Sequence, residues 1–312
     1  MIKAVRPLAV ILTLPVFLAA CGGASNPVNG SGTELEGGLE PATPDPAAPA
    51  DIPADLAQNL VNATYDPGDA GDPNDDTLTV NMRSLDAGNV NAAFTREASL
   101  DVPGFAGFVQ QEDPNNRIFV ALAGESSDGT VRAIVSGDGG QFGRFFQGGD
   151  FDSDGGVTLP ATGNVTYTGT YAGVTNISGA TPDLRQAPVP TGEAEPQQPR
   201  LTQGDVTLIV GFADDAINGA ITNRQFADGG ALTDVILAAG AIDRGTNTFS
   251  GQADRRPDGG GAPVAGGTYG GTFGGANGES IGGVVAIDEV FAPGAAAGDP
   301  LDQETGAFIL ER

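Results

Sequence analysis

Along most of the chain, apolar residues alternate with polar ones or with glycine at period two, the pattern of strands that bury one face. Thr77–Arg83 sets Leu78, Val80 and Met82 on one face. Arg117–Ala123, rich in Ile, Phe, Val and Leu, and Val131–Ser136 flank Ser126-Ser-Asp-Gly129, and Asp-Gly between two such runs predicts a hairpin. These runs lie in Leu56–Pro160, a first β-lobe. From Ala161 to Arg312, eight strands are predicted. They are Gly163–Val174, Gly204–Ala213, Ile217–Arg224, Leu232–Ile242, Thr246–Ala253, Thr268–Phe273, Ile281–Ile287 and Gly306–Glu311. The first alternates Tyr167, Gly169 and Tyr171; the second sets Val206, Leu208, Val210 and Phe212 on one face. A long Pro-rich connection, Thr175–Thr202, separates them, and Asp214-Asp215 and Asn218-Gly219 compete as the turn that follows. Asp243-Arg-Gly245 turns the next pair.

The most informative stretch is Gly266–Ile287, GGTYGGTFGGANGESIGGVVAI. Tyr269, Gly271 and Phe273 share one face of its first strand; Ile281, Gly283, Val285 and Ile287 share one face of its second. Glycine inside a strand weakens it, so repeated interior glycines mark sharp bending or close backbone approach. A small closed barrel needs both. Eight strands enclose a space just wide enough to be filled by side chains or to hold one small ligand. Loops on such a scaffold carry recognition, because they tolerate variation.

Composition sets the compartment. Lys3 and Arg6 precede the apolar run Leu8–Phe17 and then Leu18-Ala-Ala-Cys21-Gly, which reads as a secretory signal over residues 1–20 rather than a membrane span. That ending resembles the bacterial lipobox, in which Cys21 is acylated and becomes the N-terminus; Gly22 in place of Asp leans towards the outer membrane. Cys21 is the only cysteine, which excludes an intrachain disulfide. Residues 21–55 form an acidic Pro/Gly-rich tether with no apolar period. It would span roughly 30–35 Å as a coil and on the order of 100 Å fully extended. The 14 cations fall to 12 without Lys3 and Arg6, all arginine, against 40 acids, a net charge of −28. Such a field repels nucleic acid and anionic headgroups and favours cationic partners, while the simpler reading, that the acidity keeps a surface protein solvated, accounts for it better.

The chain has no histidine, and Lys3, its only lysine, leaves with the signal. The commonest general base and metal ligand are therefore missing, and so is a Schiff base. No enzyme, cofactor or catalytic residue is expected. Asp150-Phe-Asp152-Ser-Asp154-Gly155 spaces carboxylates like the start of a calcium loop, but Ala161 stands where the bidentate Glu is needed. A solvated acidic turn is the better reading, and no metal site is assigned. The second acidic cluster, Asp66 through Asp69, Asp72, Asp75 and Asp76, lacks that spacing.

Phe273-Gly-Gly-Ala-Asn-Gly-Glu-Ser-Ile-Gly-Gly283 resembles the Phe-Tyr-Gly-Pro-Asn-Ala-Glu-Glu-Leu-Gly-Gly signature of transferrin-binding-protein-B-like surface lipoproteins. Phe273, Gly275, Asn277, Glu279, Gly282 and Gly283 match, Ile281 replaces Leu, and Gly274, Ala276 and Gly278 depart. Gly163–Val174 is similar to the family's opening barrel strand. Gln110–Arg117 and Ser136–Phe146 look like the handle region of short bacterial members, with Phe142, Phe145 and Phe146 expected in the core. The family pattern also favours the turn at Asp214-Asp215. The resemblance implies an all-β protein: a small handle-like lobe, residues 56–160, followed by an eight-stranded antiparallel barrel, residues 161–312.

It further implies a monomeric lipid-anchored surface protein that captures a protein or small solute non-covalently through barrel and handle loops. The parent family captures host iron-carrier proteins, but no motif here carries over a residue for that ligand. One alternative, a structural or accessory envelope lipoprotein, fits the composition equally; another, a carrier of an apolar small molecule inside the barrel, predicts an interior cavity, whereas a packed interior is the commoner outcome.

Overall fold

The computed structural model describes residues 40–41, 52–68, 72, 74–83, 89–113, 116–141, 144–178, 196–255, 262–289 and 302–312. Cys21 and the signal segment 1–20 lie outside the described residues, as do Phe142, Asp69 and most of the expected tether. Of that tether, β1 (Glu40–Pro41) is described, and so is Ile52–Asp55, where α1 (Ala54–Ala57) begins.

The first lobe is a seven-stranded antiparallel sheet: β2 (Leu60–Asp66), β3 (Thr77–Arg83), β4 (Asn89–Arg96), β5 (Ala106–Gln110), β6 (Phe119–Glu125), β7 (Val131–Asp138) and β9 (Gln147–Ser153). A short 3₁₀ turn, Ala98–Leu100, links β4 to β5, and β8 (Arg144–Phe145) pairs in parallel with β1. The sheet rolls towards closure. The Asn59 N–H donates to the Gln147 carbonyl at 3.0 Å, and the Ala63 N–H donates to Asp150 Oδ2 at 3.0 Å, which brings the first strand to the last. Leu60, Leu78, Val80, Met82, Phe94, Phe108, Phe119 and Phe146 fill the space inside it.

The eight barrel strands follow in simple meander order and close: β10 (Asn164–Ser178), β11 (Pro199–Gly211), β12 (Ala216–Phe226), β13 (Val235–Asp243), β14 (Thr248–Arg255), β15 (Val264–Gly274), β16 (Ser280–Glu289) and β17 (Asp302–Glu311). Closure removes every edge of this sheet, because β10 also pairs with β17 from Thr168↔Glu311 to Thr175↔Glu304. Both faces are buried over most of β6, β7, β16 and β17 and over the second half of β10. On β16, Val285 and Ile287 point into the barrel while Val284 and Ala286 meet the handle. Phe308 and Leu310 of β17 do the first, Ala307 and Ile309 the second. One continuous apolar layer therefore welds lobe to barrel. It joins Val102, Phe105, Val120, Leu122, Val131 and Val135 of the handle to Val174 and Ile309 of the barrel.

The barrel interior is filled. Tyr167, Tyr171, Tyr269, Phe212, Phe249, Phe273 and Phe308 occupy it with Val206, Leu208, Ile217, Ile221 and Leu237. Aromatic rings lie on cross-strand glycines, which explains the glycine-rich alternation. Phe249 faces Gly271, Tyr269 faces Gly251 and Phe308 faces Gly283. A Cβ at position 283 would stand 2.6 Å from Phe308 Cε2, and one at 271 would stand 2.6 Å from Phe249 Cζ. The aromatic side chains take the room that a small apolar cargo inside the barrel would need.

Three expectations change. The acidic stretch Asp150–Ser153 is part of β9 rather than a turn, with Phe151 buried on one face. The Asp150 carboxylate accepts from Ala63, and Asp154 pairs with Arg132 at 3.0 Å, so both already have partners. The connection after the first barrel strand is shorter than Thr175–Thr202, because β10 runs on to Ser178 and β11 starts at Pro199. Proline is tolerated there as a first strand residue. Ile52 is buried in the layer between lobe and barrel, so folded structure begins ahead of Leu56.

Candidate functional site

In a meander barrel, alternate connections gather at opposite ends. Residues 212–215, 244–247 and 275–279 make tight turns at one end. Residues 227–234 connect β12 to β13 at the other, where Ser178, Pro199, Arg255, Val264, Glu289 and Asp302 also end or begin their strands. The long connections therefore leave from one rim, and that rim is the candidate site.

The tight end is built by the glycine-rich motif. Gly275 and Gly278 take φ of 74° and 70°, which L-residues rarely adopt. Glu279 accepts from the Asn277 backbone N–H at 2.8 Å, from Asn277 Nδ2 at 2.9 Å and from Arg312 at 2.9 Å. The Asn277 hydrogen bonds, with the Arg312 charge, hold its carboxyl below the usual range. The Tyr167 hydroxyl donates to the Gly278 carbonyl, and burial pushes that phenol up to about 12. Phe273 lies 5.5 Å from Phe249, 6.0 Å from Phe212 and 6.3 Å from Tyr167, centroid to centroid. The motif thus closes and plugs the barrel, on the end away from the long connections.

Beneath the rim lies a buried polar cluster. Arg224 and Glu304 are both fully buried and pair at 2.8 Å. Glu304 Oε1 also accepts from Thr202 Oγ1 at 2.7 Å and from the Tyr171 hydroxyl. Arg224 donates further to the Thr233 carbonyl at 2.6 Å, inside the 227–234 connection. One ion pair therefore ties β12 to β17 and fixes the base of a rim loop. Its inward aim depends on a bulge. Gln203 pairs with Gln225 and Asp205 with Thr222, so Asn223 and Arg224 oppose Gly204 alone. Asn223 takes φ 52°, a conformation asparagine tolerates better than most residues. Ile217, Gly219 and Ile221 alternate inward, and without the extra residue position 224 would face outward.

Strand alternation and motif spacing single out neither residue of this pair. Glu304 shares the inward parity of Gly306, Phe308 and Leu310, and a charge at that parity is the signal the sequence offers. The handle holds a second buried pair, Arg117–Asp138. Arg117 also donates to the Arg144 carbonyl at 2.9 Å and the Gln141 carbonyl at 2.6 Å, and its guanidinium lies 4.8 Å from the Phe146 ring centroid. Burial pushes the Asp138 carboxyl up against the pull of Arg117. Phe145 and Phe146 are core residues, as expected. Among the described residues no group of three or more acidic side chains is arranged to hold a metal ion, and no helix is long and apolar enough to cross a membrane.

Residues 159–307 match the family described as C-lobe and N-lobe beta barrels of Tf-binding protein B. Among solved structures, a double mutant of transferrin-binding protein B from Haemophilus parasuis Hp5 is 14% identical, with a TM-score of 0.40 over 71% of this chain and 39% of that one. Intact Ap-TbpB (N and C lobes) is 12% identical, with a TM-score of 0.39 over 76% of this chain and 51% of that one. A structure described as a surface lipoprotein is 14% identical, with a TM-score of 0.34 over 69% of this chain and 83% of that one. The chain spans about half or less of the two transferrin-binding proteins it resembles. No curated protein matches it.

Proposed function

We propose, from a barrel that belongs to the transferrin-binding-protein-B-like family, that this chain is a lipid-anchored surface protein that holds a protein partner non-covalently on its long-loop rim. Residues 1–20 would be removed, Cys21 acylated, and the following segment would lift the folded part from the outer membrane. The observation that carries the reading is the 227–234 connection, pinned by Arg224 at the end of a filled barrel opposite its tight turns. A filled, closed barrel presents that loop on a rigid frame, which favours a surface that grips a partner over a cavity that encloses a cargo. The protein acts as a binder and not as a catalyst.

The test has two parts. On intact cells, protease should shave the native chain, and a Cys21→Ala variant should appear in the medium. Immobilised protein should then capture a defined protein from external fluid, and replacing residues 227–234 by a Gly/Ser linker should abolish that capture. Protection of the native chain until the outer membrane is broken would reject surface capture; equal capture by the loop variant would reject the rim.

A further inference from the structure

A cleft of about 350 Å³ opens where the handle meets the barrel flank, well away from the tight turns. Asp55, Gln58 and Gln147 line it from the handle side, and Thr268, Asp288 and Gln303 from the barrel. Among the described residues no cation lines it, although Arg255 lies close enough to act on Asp288 electrostatically.

The hydrogen bonds in the cleft have a direction. An ionised carboxylate only accepts, so Asp288 Oδ1 must take its 2.7 Å hydrogen bond from Gln303 Nε2. That leaves Gln303 Oε1 as an acceptor, and it takes the 3.4 Å contact from Gln147 Nε2. The relay therefore turns the Gln147 oxygen away from Gln303. Gln147 is 2% exposed, and its Oε1 has no hydrogen-bond partner among the described residues. An orphan acceptor at the end of a relay fixed by a carboxylate asks for a donor. The Asp55 carboxylate on the opposite side accepts a 2.8 Å bond from Thr268 and adds a second negative charge.

We infer that this cleft binds an organic cation, a guanidinium or alkylammonium group, with Asp288 and Asp55 supplying charge and Gln147 accepting one of its N–H bonds. Such a group is donor-only and planar or compact, and it matches the acceptors of the cleft, where Arg255, packed against Gly266, is the cation it would compete with for Asp288. The group can come from a free solute or from an arginine or lysine of a protein. The cleft shares no residue with Arg224, Glu304 or Thr233, but it borders the rim, since Gly266, Asp288 and Gln303 stand at the ends of β15, β16 and β17 opposite the tight turns; Asp288→Asn tests the cleft and replacement of 227–234 tests the rim.

The experiment is a titration of the full chain, carrying Cys21→Ser to keep it unacylated, with agmatine, with N-acetyl-arginine methylamide and with the neutral citrulline analogue. The expected result is saturable one-to-one binding of a guanidinium compound and none of the citrulline compound. Asp288→Asn should weaken binding at least tenfold, whereas Asp152→Asn, an exposed acid of the handle, should leave it unchanged. Gln147→Leu keeps the volume without the acceptor and should weaken binding with the thermal melt preserved. A preference for the arginine amide assigns the cation to a protein side chain; a preference for agmatine assigns it to a free solute. No saturable binding, or equal weakening by Asp152→Asn, would show only diffuse attraction to an acidic surface and would overturn the site.

Discussion

Replacing Glu304 with glutamine leaves the Arg224 charge buried without its counter-ion, and both residues are fully buried, so solvent offers no screening. Removing one partner of a buried pair typically costs about 3–5 kcal/mol. Part of that here is the three-way acceptance by Glu304, which also receives Thr202 and Tyr171. At about 2–4 °C per kcal/mol for a domain of this size, Tm should fall by roughly 6–20 °C. The informative comparison is the double variant Arg224→Met, Glu304→Leu. It removes both charges together and should be far less damaging than Glu304→Gln alone, because apolar replacements of buried pairs are often neutral or stabilising. Calorimetry of the three proteins measures the coupling. If Glu304→Gln lowers stability by less than about 1 kcal/mol, or the double variant is worse than the single, the pair is not the clasp described above. A second readout follows from the Thr233 bond: Arg224→Met should speed amide exchange in 227–234 even where global stability recovers.

Other consequences are accessible to simple variants. Phe273→Ala removes the ring at the centre of the aromatic plug and should destabilise the barrel by about 3–5 kcal/mol in denaturant titration. Gly283→Ala drives a methyl group into both Phe308 and the Gly270 carbonyl, 2.5 Å from it, and should cost about 1–3 kcal/mol, with only partial relief when Phe308 is shortened to Leu. Arg117→Met strands the Asp138 carboxylate in the handle; stability should then improve as pH is lowered, because the unpaired acid folds better protonated. Asp128 has the opposite sign. Burial raises its carboxyl, but hydrogen bonds from Ser126, Thr130 and Ser280 outweigh this and hold it below the ordinary 3.8. Its contribution is present above that value and is lost as pH falls through the lower folded one, so Asp128→Asn should flatten the acid limb of the stability curve.

Much of the architecture is legible in the chain itself. Period-two alternation marks all eight barrel strands, and Thr77–Arg83 matches β3 in full, because a strand with one buried face repeats its chemistry every second residue. The glycines of Gly266–Ile287 announce tight coiling, and the rings that cover them supply the reason. The handle is less legible. β2, β4, β5 and β9 carry no comparable signal: β9 reads QGGDFDS, whose glycines and acids do not look like a strand until β7 and the barrel flank cover it.

What the chain determined by itself is the local pattern: strand period, turn residues and the acidic field. Tertiary structure alone decided which faces meet. β16 and β17 are apolar on both sides, and only the docked handle explains the outward Val284 and Ile309. Arg224 joins Glu304 only because a bulge at Asn223 reverses the parity of one strand, and that reversal depends on pairing with β11 across the sheet. A charge pair across a closed barrel is a property of register, and register is set by the partner strand rather than by the residues that bear the charge.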